Sequence, residues 1–337
     1  MRIFAILASF ILVFGPFCTN LSTDTDDGQY NYEPTDVDLL DLGYKTQDCF
    51  STQWWYFDAI FSNNYSITLC ISNLFIARKI GFFLIRINIY ENGNFLEEDH
   101  EIIPFRQITY SSDKSDLSYK GSEIFNAKYD YDGKINVTLN VALSKIQVNL
   151  RFNELVKGWK GFTGKGWYSV PIPKAQVDGV IVVNDQTIIV DGFGYFEHAW
   201  GVKSLHRSWE WGKFSSLSTS TVFSRNMKNS SEEDVFFVVI NTDEFNYTSI
   251  DRENISYRNV DYVFNYGRFV PVKSVLEINQ GPISLNVTFE AVTFNFTRVF
   301  LFAKHWRFHM HVYGTIVVDG KTEEIDDTQI MEYVYFF

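Results

Sequence analysis

The feature that most limits the fold of this chain is an internal repeat at a constant offset of 135 residues. The segment that starts at Gly179, GVIVVNDQTIIVDGFGYFEHAW, shares its frame with the segment that starts at Gly314, GTIVVDGKTEEIDDTQIMEYVY. In this alignment Gly179 meets Gly314, and Glu197 meets Glu332. A frame that recurs at such a spacing indicates two related units, and 337 residues are enough for two domains with separate cores.

Alternating apolar and polar residues fill most of the chain after residue 50. Residues 146–152 (IQVNLRF) and 283–290 (ISLNVTFE) alternate strictly, and Asn92-Gly93 adds a hairpin-turn signal after the alternating run 85–90. Almost no segment shows a sustained helical period. Aromatic residues make up 18% of the chain, as is usual for broad apolar sheet faces. We therefore predict an all-β protein with enough strands for two sheets or barrels.

The N-terminus predicts export. Residues 1–18 begin with Met1 and Arg2 and continue as a mainly apolar run that is too short to span a bilayer comfortably, which indicates a secretory signal peptide. An uncleaved short anchor is the alternative, because Phe17 is large for a cleavage site. Residues 19–45 are acidic and lack an apolar period, so they are predicted to form a flexible lead. We expect a secreted or cell-surface protein.

Glycosylation signals support export. Eight N-x-S/T triplets are present, headed by Asn20, Asn64, Asn136, Asn229, Asn246, Asn254, Asn286 and Asn295. A chain rich in Ser, Thr and Asn also forms such triplets by composition alone. After the signal, Cys49 and Cys70 would form one disulfide in an oxidising compartment or remain two unpaired core cysteines.

Composition and motifs exclude several classes of function. The net charge of −12 argues against nucleic-acid binding and against an electrostatic membrane anchor. The sequence has no G-x-S-x-G elbow, no H-E-x-x-H motif, no phosphate-binding glycine loop and no cysteine pair with metal-site spacing. We therefore expect neither a metal nor a cofactor.

Candidate chemistry concentrates in residues 190–201, VDGFGYFEHAWG. Glu197, His198 and Trp200 lie within four positions, and the repeat replaces His198 and Trp200 with Tyr333 and Tyr335. Neighbours on a strand point to opposite faces, so Glu197 and His198 would not touch unless a bulge re-aims one of them. The segment indicates either a site or a structural histidine on an aromatic face.

Two tryptophan clusters open the two halves of the chain. The first contains Trp54, Trp55 and Tyr56, and the second contains Trp209 and Trp211. Large aromatic side chains on a first strand commonly close the floor of a barrel, which is the core-packing interpretation. The functional interpretation is an aromatic pocket, to which Tyr195 and Trp200 would also contribute.

A histidine cluster lies near the C-terminus. His309 and His311 are two residues apart and would share a strand face with Arg307, while His305 lies earlier on the same run. Two imidazoles could bind Zn²⁺, but the arginine disfavours a cation there. We expect instead a solvated outer face, opposite the apolar residues of the same strand.

These motifs resemble those of the AttH-like, CrtC-like family, which includes carotenoid 1,2-hydratase (hydroxyneurosporene synthase) and fungal Diels–Alderases. The similarity rests on Trp54-Trp55-Tyr56, on Gly194-Tyr-x-x-His198-x-Trp200-Gly201 with the preceding Val177-x-Gly179, and on Trp209-x-Trp211. It covers the chain from about residue 50 to the C-terminus. The resemblance implies two tandem lipocalin-like (calycin) β-barrels, which we place at residues 46–205 and 206–337, with a pocket near their interface.

The resemblance also implies roles for residues. Glu197 would donate a proton or a hydrogen bond, and His198 would tune it or activate water. Hydration of an isolated C=C bond needs a protonated acid in an apolar pocket and aromatic faces for the cation. The chain departs from hydratase-like members because residues 213–223 contain no carboxylate, with Asp58 and Asp191 as substitutes.

The sequence thus predicts a protein that binds a large apolar molecule, such as an isoprenoid, polyene or polyketide. The first hypothesis is a lyase or isomerase-type enzyme, either a C=C hydratase or a cyclase. The second is a non-catalytic carrier or surface binding protein on the same fold.

Overall fold

Sheet structure dominates the molecule. The computed structural model describes residues 33–46, 51–77, 80–111, 113–162, 167–202, 208–227, 234–299 and 303–336. Within them, antiparallel strands form one sheet of 13 strands and one of nine. The all-β prediction is confirmed.

The first sheet contains β1 (Thr35–Asp36), β2 (Ser51–Phe61), β3 (Tyr65–Ala77), β4 (Ile80–Glu91), β5 (Asn94–Pro104), β6 (Ile108–Tyr110), β7 (Ser115–Tyr119), β8 (Ser122–Tyr129), β9 (Ile135–Ala142), β10 (Ile146–Val156), β11 (Trp159–Phe162), β12 (Tyr168–Val183) and β13 (Gln186–Val202). The second contains β14 (Ser208–Ser215), β15 (Ser220–Met227), β16 (Val235–Asn241), β17 (Tyr247–Ser249), β18 (Ile255–Asn265), β19 (Arg268–Gln280), β20 (Ile283–Val299), β21 (Ala303–Val318) and β22 (Lys321–Phe336). Short 3-10 helices lie at Leu39–Leu42, Phe105–Gln107 and Arg252–Asn254. No helix among the described residues has the length and apolarity needed to cross a membrane.

Each sheet places an early strand beside its last strand, and over the described residues the hydrogen-bonded path stays open between β5 and β6 in the first sheet and between β17 and β18 in the second. In the first sheet β2 pairs with both β3 and β13, and in the second β14 pairs with both β15 and β22. Each resulting barrel, here called barrel 1 and barrel 2, encloses its own apolar core. The predicted pair of lipocalin-like barrels is confirmed. The sheet changes between Val202 and Ser208, and the exact domain limits stay a prediction because the described residues belong to one compact unit.

The sequence repeat is also a structural repeat. Strand β12 begins at Tyr168 and β21 at Ala303, 135 residues later. Gly179 and Gly314 have φ values of 150° and 153°, and at both a Cβ atom would lie 2.1 Å from a backbone oxygen of the neighbouring strand. Glycine is therefore required twice, at equivalent places, by close approach of two strands.

Local signals produce the expected hairpins. Asn92 and Gly93 have φ values of 52° and 75°, the left-handed pair needed by a two-residue turn between β4 and β5. In β10 the apolar residues from Ile146 to Phe152 point into barrel 1 while the intervening polar residues are exposed. Alternation in the sequence therefore sets which face of each strand is buried.

Residues 19–45 were predicted to form a flexible lead, and this prediction is wrong for residues 33–45, which the structure describes. Leu42, in the first 3-10 helix, is fully buried against barrel 1. Its backbone oxygen accepts a hydrogen bond of 2.7 Å from Trp55 Nε1. One apolar side chain and one tryptophan thus fix this acidic segment, which sequence periodicity alone did not reveal.

The predicted glycosylation sites are compatible with the fold. Asn20 and Asn229 lie outside the described residues. The remaining asparagines are all at least partly exposed: Asn64, Asn136, Asn246, Asn254, Asn286 and Asn295. Their glycosylation stays a prediction.

The two barrels meet through packed aromatic residues and polar bridges. An apolar cluster joins Tyr56 and Tyr195 of barrel 1 to Trp211 of barrel 2. Asp58 forms a buried ion pair of 3.0 Å with Lys213 across the interface. These contacts place the outer faces of β2 and β13 against those of β14 and β22.

Candidate functional site

A cavity of about 260 Å³ lies between the barrels. Its lining residues belong to both barrels and lie on strands that include β2, β3, β4 and β13 of barrel 1 and β14, β21 and β22 of barrel 2. Its aromatic walls are Trp54, Tyr56, Trp167, Trp209, Trp211, Phe237 and Phe336. Aromatic walls combined with several polar and charged side chains are typical of a small-molecule site.

The tryptophan motifs divide between this cavity and the core. Trp54 and Tyr56 alternate onto the face of β2 that lines the cavity, as do Trp209 and Trp211 on β14. Trp55 points the other way and is fully buried in barrel 1. The aromatic-pocket interpretation therefore fits four of these five residues, and core packing fits Trp55.

Two carboxyl groups line the cavity at equivalent positions of the repeat. Glu197 on β13 pairs with Tyr56 on β2, and Glu332 on β22 pairs with Trp211 on β14. Each acid thus lies on the last strand of its barrel, directly opposite an aromatic residue of the early strand with which that last strand pairs. The cavity is therefore lined by the equivalent acid of each repeat.

A β-bulge breaks this equivalence. The pairing of β12 with β13 shifts between Ile172 and Ala175, whereas that of β21 with β22 has no shift. As a result Glu197 lies opposite Pro171, while Glu332 lies opposite Arg307. The extra residue on β12 places Pro171 opposite Glu197 instead of Ile172, the repeat equivalent of Arg307, so the absence of a cation comes from the residue type at this position and not from the bulge.

Glu197 is a buried acid without an opposing cation. Ser169 Oγ donates a hydrogen bond of 2.6 Å to one carboxyl oxygen, and the Tyr195 hydroxyl donates one of 3.2 Å to the other. Burial raises the pKa of Glu197 to about 7, the two hydrogen bonds oppose the rise, and the negative charge of Glu332 adds to it. Glu197 can therefore hold a proton near neutrality and release it.

Glu332 has the opposite electrostatic state. Arg307 Nη2 lies 2.6 Å from its carboxylate, and His305 Nε2 lies 3.4 Å from it. Burial alone would raise the pKa of Glu332, but His305 and Arg307 outweigh it and hold that pKa well below its usual range. Arg307 also donates a 2.9 Å hydrogen bond to Thr68, which ties the ion pair to barrel 1. Glu332 is thus a fixed anion in the cavity wall.

The positions of the histidines on β21 correct the expectation that this strand face is exposed to solvent. His305 is only 13% exposed and lines the cavity, and His309 is 4% exposed and lies 2.8 Å from Ser66 Oγ of barrel 1. The face is covered because barrel 1 packs onto it. Of the three histidines, His311 is the most exposed, and its Nε2 lies 2.8 Å from the Asp326 carboxylate. No cluster of three or more metal-binding side chains occurs in the described part of the chain.

His198 lies outside the cavity, in the core of barrel 1. Its Nδ1 is 2.6 Å from the backbone oxygen of Asp41, and its ring stacks between Trp55 and Trp200 at centroid distances of 4.5 and 5.0 Å. Burial lowers the pKa of His198 to about 3. The ring is therefore neutral, and its position is that of the structural histidine considered as an alternative.

The other candidates occupy various places. Tyr195 is buried and holds Glu197, and Trp200 stacks on Tyr168 at 5.1 Å without lining the cavity. Asp58 is neutralised by Lys213, and Asp191 is exposed, so neither substitutes for a cavity acid.

The structure describes Cys70 of the two candidate disulfide cysteines. Cys70 lines the cavity, and burial raises the pKa of its thiol to about 12. Cys49 lies outside the described residues, so the disulfide stays a prediction.

Comparisons with known proteins identify the fold. No family model matches the sequence, and no curated protein matches it. An AttH candidate from Nitrosomonas europaea superposes with a TM-score of 0.64 at 13% identity, covering 89% of this chain and 96% of the other. CghA with Sch210972 gives 0.62 at 11% identity, covering 86% and 89%. Kievitone hydratase from Nectria haematococca gives 0.55 at 11%, covering 85% and 88%. The resemblance to AttH-like proteins is thus confirmed at the level of the fold.

Sequence reasoning missed half of the site. Glu332 aligns with Glu197 across the repeat, and this alignment is the sequence signal that could have identified Glu332 as a second acid of the site. Arg307 and His305 stand out in the sequence, but the pattern of their strand predicts a face exposed to solvent. Arg86 and Ser169 carry no motif, and their place in the cavity follows only from barrel packing.

Proposed function

We propose that this protein is an enzyme that protonates a C=C bond of a compact apolar substrate held between the barrels, as a hydratase or a cyclase does. The observation that carries the proposal is Glu197, a buried carboxyl in an aromatic cavity with a pKa raised to about 7 and no cation opposite it. Solved structures with this fold include a hydratase, which supports a lyase or cyclase-type activity.

The chemistry follows from the cavity wall. Neutral Glu197 transfers its proton to one alkene carbon, and the π electrons form the new C–H bond. The cation left on the other carbon faces the tryptophan rings, whose π faces stabilise positive charge. Ser169 and Tyr195 stabilise the Glu197 carboxylate through their hydrogen bonds.

Two outcomes complete the reaction. In hydration, water adds to the cation and returns a proton to Glu197, so the product gains one water. In cyclisation, a second double bond of the substrate attacks the cation, and Glu197 regains a proton from the adjacent carbon. The cavity is slightly smaller than the roughly 300 to 1,000 Å³ common for drug-sized ligands, which favours a compact substrate over a long polyene.

A carrier is the second candidate. Both oxygens of Glu197 already accept hydrogen bonds from the protein, which is how a purely structural buried acid is satisfied. In that case the cavity binds an apolar molecule and returns it unchanged.

One experiment separates the two candidates. The protein is incubated in D₂O with an extract of small apolar alkenes, and both bound and free fractions are analysed by mass spectrometry. Either activity places a solvent deuterium on carbon, and hydration raises the product mass by one D₂O in total, with one deuterium on carbon and the other on oxygen. Glu197→Gln should lose this incorporation, whereas the surface control Glu277→Gln should keep it. Retention of unlabelled ligand by all three proteins would establish a carrier.

We also propose that the protein is exported and glycosylated, which the exposed triplet asparagines and the N-terminal apolar run support. Expression in a glycosylating secretory host, followed by N-glycosidase treatment of the medium, tests this. A secreted band whose mass falls on treatment is expected, and retention in the cytosol without a mass shift would contradict it.

A further inference from the structure

The cavity wall contains one arginine that the protein does not fully neutralise. Arg86 on β4 lines the cavity, and its side chain is 24% exposed. Its Nε atom is buried and has no hydrogen-bond partner among the described residues. Its ion pair with Glu98 spans 3.8 Å, longer than a hydrogen bond.

Glu98 is shared among several donors. His100 Nδ1 lies 3.5 Å from the same carboxylate oxygen that faces Arg86. In the amide orientation that satisfies its neighbours, Asn88 donates a 3.0 Å hydrogen bond to the other oxygen. Glu98 therefore neutralises Arg86 incompletely.

Arg307 provides the contrast within the same cavity. Its guanidinium donates to Glu332 at 2.6 and 3.2 Å and to Thr68 at 2.9 Å. Arg307 and Glu332 thus cancel each other's charge, whereas Arg86 has no such close partner in the cavity wall. With Glu197 protonated, the wall carries an excess of positive charge at Arg86.

We propose that the molecule bound in this cavity is an organic anion, in which a carboxylate, enolate or phenolate oxygen pairs with Arg86 and an apolar frame packs on the tryptophans. This deepens the proposed function and rests on it for the use of the cavity. An oxyanion completes the hydrogen bonding of Arg86 in a partly desolvated site, where charge-assisted hydrogen bonds are strong. The arginine then fixes which end of the substrate lies away from the apolar walls.

The probes are 2-naphthoate and its uncharged isostere 2-naphthamide, and binding is followed by quenching of tryptophan fluorescence at about pH 6, where Glu197 is mostly protonated. We expect 2-naphthoate to bind the wild type about 10- to 100-fold more tightly than 2-naphthamide, the range that one charged hydrogen bond supplies. Arg86→Gln should remove this preference by weakening naphthoate binding alone. Arg151→Gln, an exposed arginine paired with Asp178, is the matched control and should keep the preference.

Equal affinities of the two probes for the wild type, a lack of saturable naphthoate binding, or an unchanged preference in Arg86→Gln would each overturn the inference. Glu197→Gln in the same titration keeps this test separate from that of catalysis. If catalysis fails but the inference holds, both wild type and Glu197→Gln prefer naphthoate and no substrate is converted. If only the inference fails, alkene turnover persists while the probes bind equally.

Discussion

Glu197 and Glu332 occupy equivalent positions in the two repeats, yet Glu332 lies opposite Arg307 and Glu197 lies opposite Pro171. The bulge in β12 places Pro171 opposite Glu197 where Ile172 would otherwise lie, and neither residue carries a charge, so the difference comes from the arginine that only the second repeat has at this position. One acid is therefore available to carry a proton, and the other is a permanent anion. Two acids with pKa values driven apart by their surroundings are a recurrent basis for acid–base chemistry.

The stability of the protein should depend on the ionisation of Glu197. Its folded-state pKa of about 7 exceeds the ordinary 4.5, so the folded protein retains a proton that the unfolded chain releases. This contribution to stability is full below about pH 4.5 and is lost as the pH rises through about 7. At about 1.4 kcal/mol per pKa unit, the loss is of the order of 3 kcal/mol.

Urea unfolding of wild type and Glu197→Gln at low and high pH measures this effect. The variant should gain stability relative to wild type as the pH rises across this window, because its amide cannot ionise. Ser169, Tyr195 and Glu332 face the carboxyl, and Glu332 stays ionised throughout since its pKa is well below the window. A constant difference between the two proteins would show that the pKa of Glu197 is ordinary.

Breaking the ion pair between Arg307 and Glu332 should be costly. Both side chains are 12% exposed, so Arg307→Met leaves a carboxylate buried without its main partner, at a cost of about 3 to 5 kcal/mol. The double variant Arg307→Met/Glu332→Gln should recover much of this. The exposed pair formed by Arg151 and Asp178 is the control, and Arg151→Met there should cost about 1 kcal/mol or less. Additive costs in the cycle at Arg307 and Glu332 would contradict coupling.

The repeated glycines should resist substitution more than other glycines with positive φ. Gly179→Ala places a methyl group 2.1 Å from the Asn149 oxygen, whereas a Cβ at Gly121 meets nothing within 4 Å. Gly121 has a φ of 81°, so Gly121→Ala carries a cost of about 1 to 2 kcal/mol from backbone strain alone. Thermal unfolding should show a clearly larger loss for Gly179→Ala. Similar losses in the two variants would mean that contact between the strands is not limiting.

His198 should matter for folding rather than for turnover. Its ring fills the space between Trp55 and Trp200, so His198→Ala leaves a cavity and should cost about 2 to 4 kcal/mol. Conversion of substrate per folded molecule, measured well below the melting temperature, should stay close to wild type. A large fall in turnover with stability unchanged would restore a catalytic role for this histidine.

Strand pattern and repeat predicted an all-β protein of two related units, and the resemblance to the AttH-like family added the two lipocalin-like barrels. The alternation of residues 146–152 and the Asn92-Gly93 turn are local signals, and most strand pairs join neighbours in sequence, the main exceptions being β2 with β13 and β14 with β22. The site was predicted less completely. Glu197 and four aromatic residues were identified, but a pocket between two barrels depends on which outer faces meet, and no local pattern reports that.

His305 and Arg307 illustrate this limit. On a single strand they have the polar character of a solvated face, and only contact with barrel 1 makes that face interior. His198 illustrates the converse. Its neighbours in sequence indicated chemistry, but strand alternation placed it in the core, away from Glu197.

The closure of each barrel has a consequence for the order of folding. Thr52 pairs with Val202 across most of barrel 1, and Trp209 pairs with Val334 across most of barrel 2. Contacts so distant along the chain are entropically costly and form late. Because Glu197 lies on β13 and Glu332 on β22, the cavity forms only after β22 has been synthesised and has paired with β14. A truncated or stalled chain would retain most of its hairpins and have no site at all.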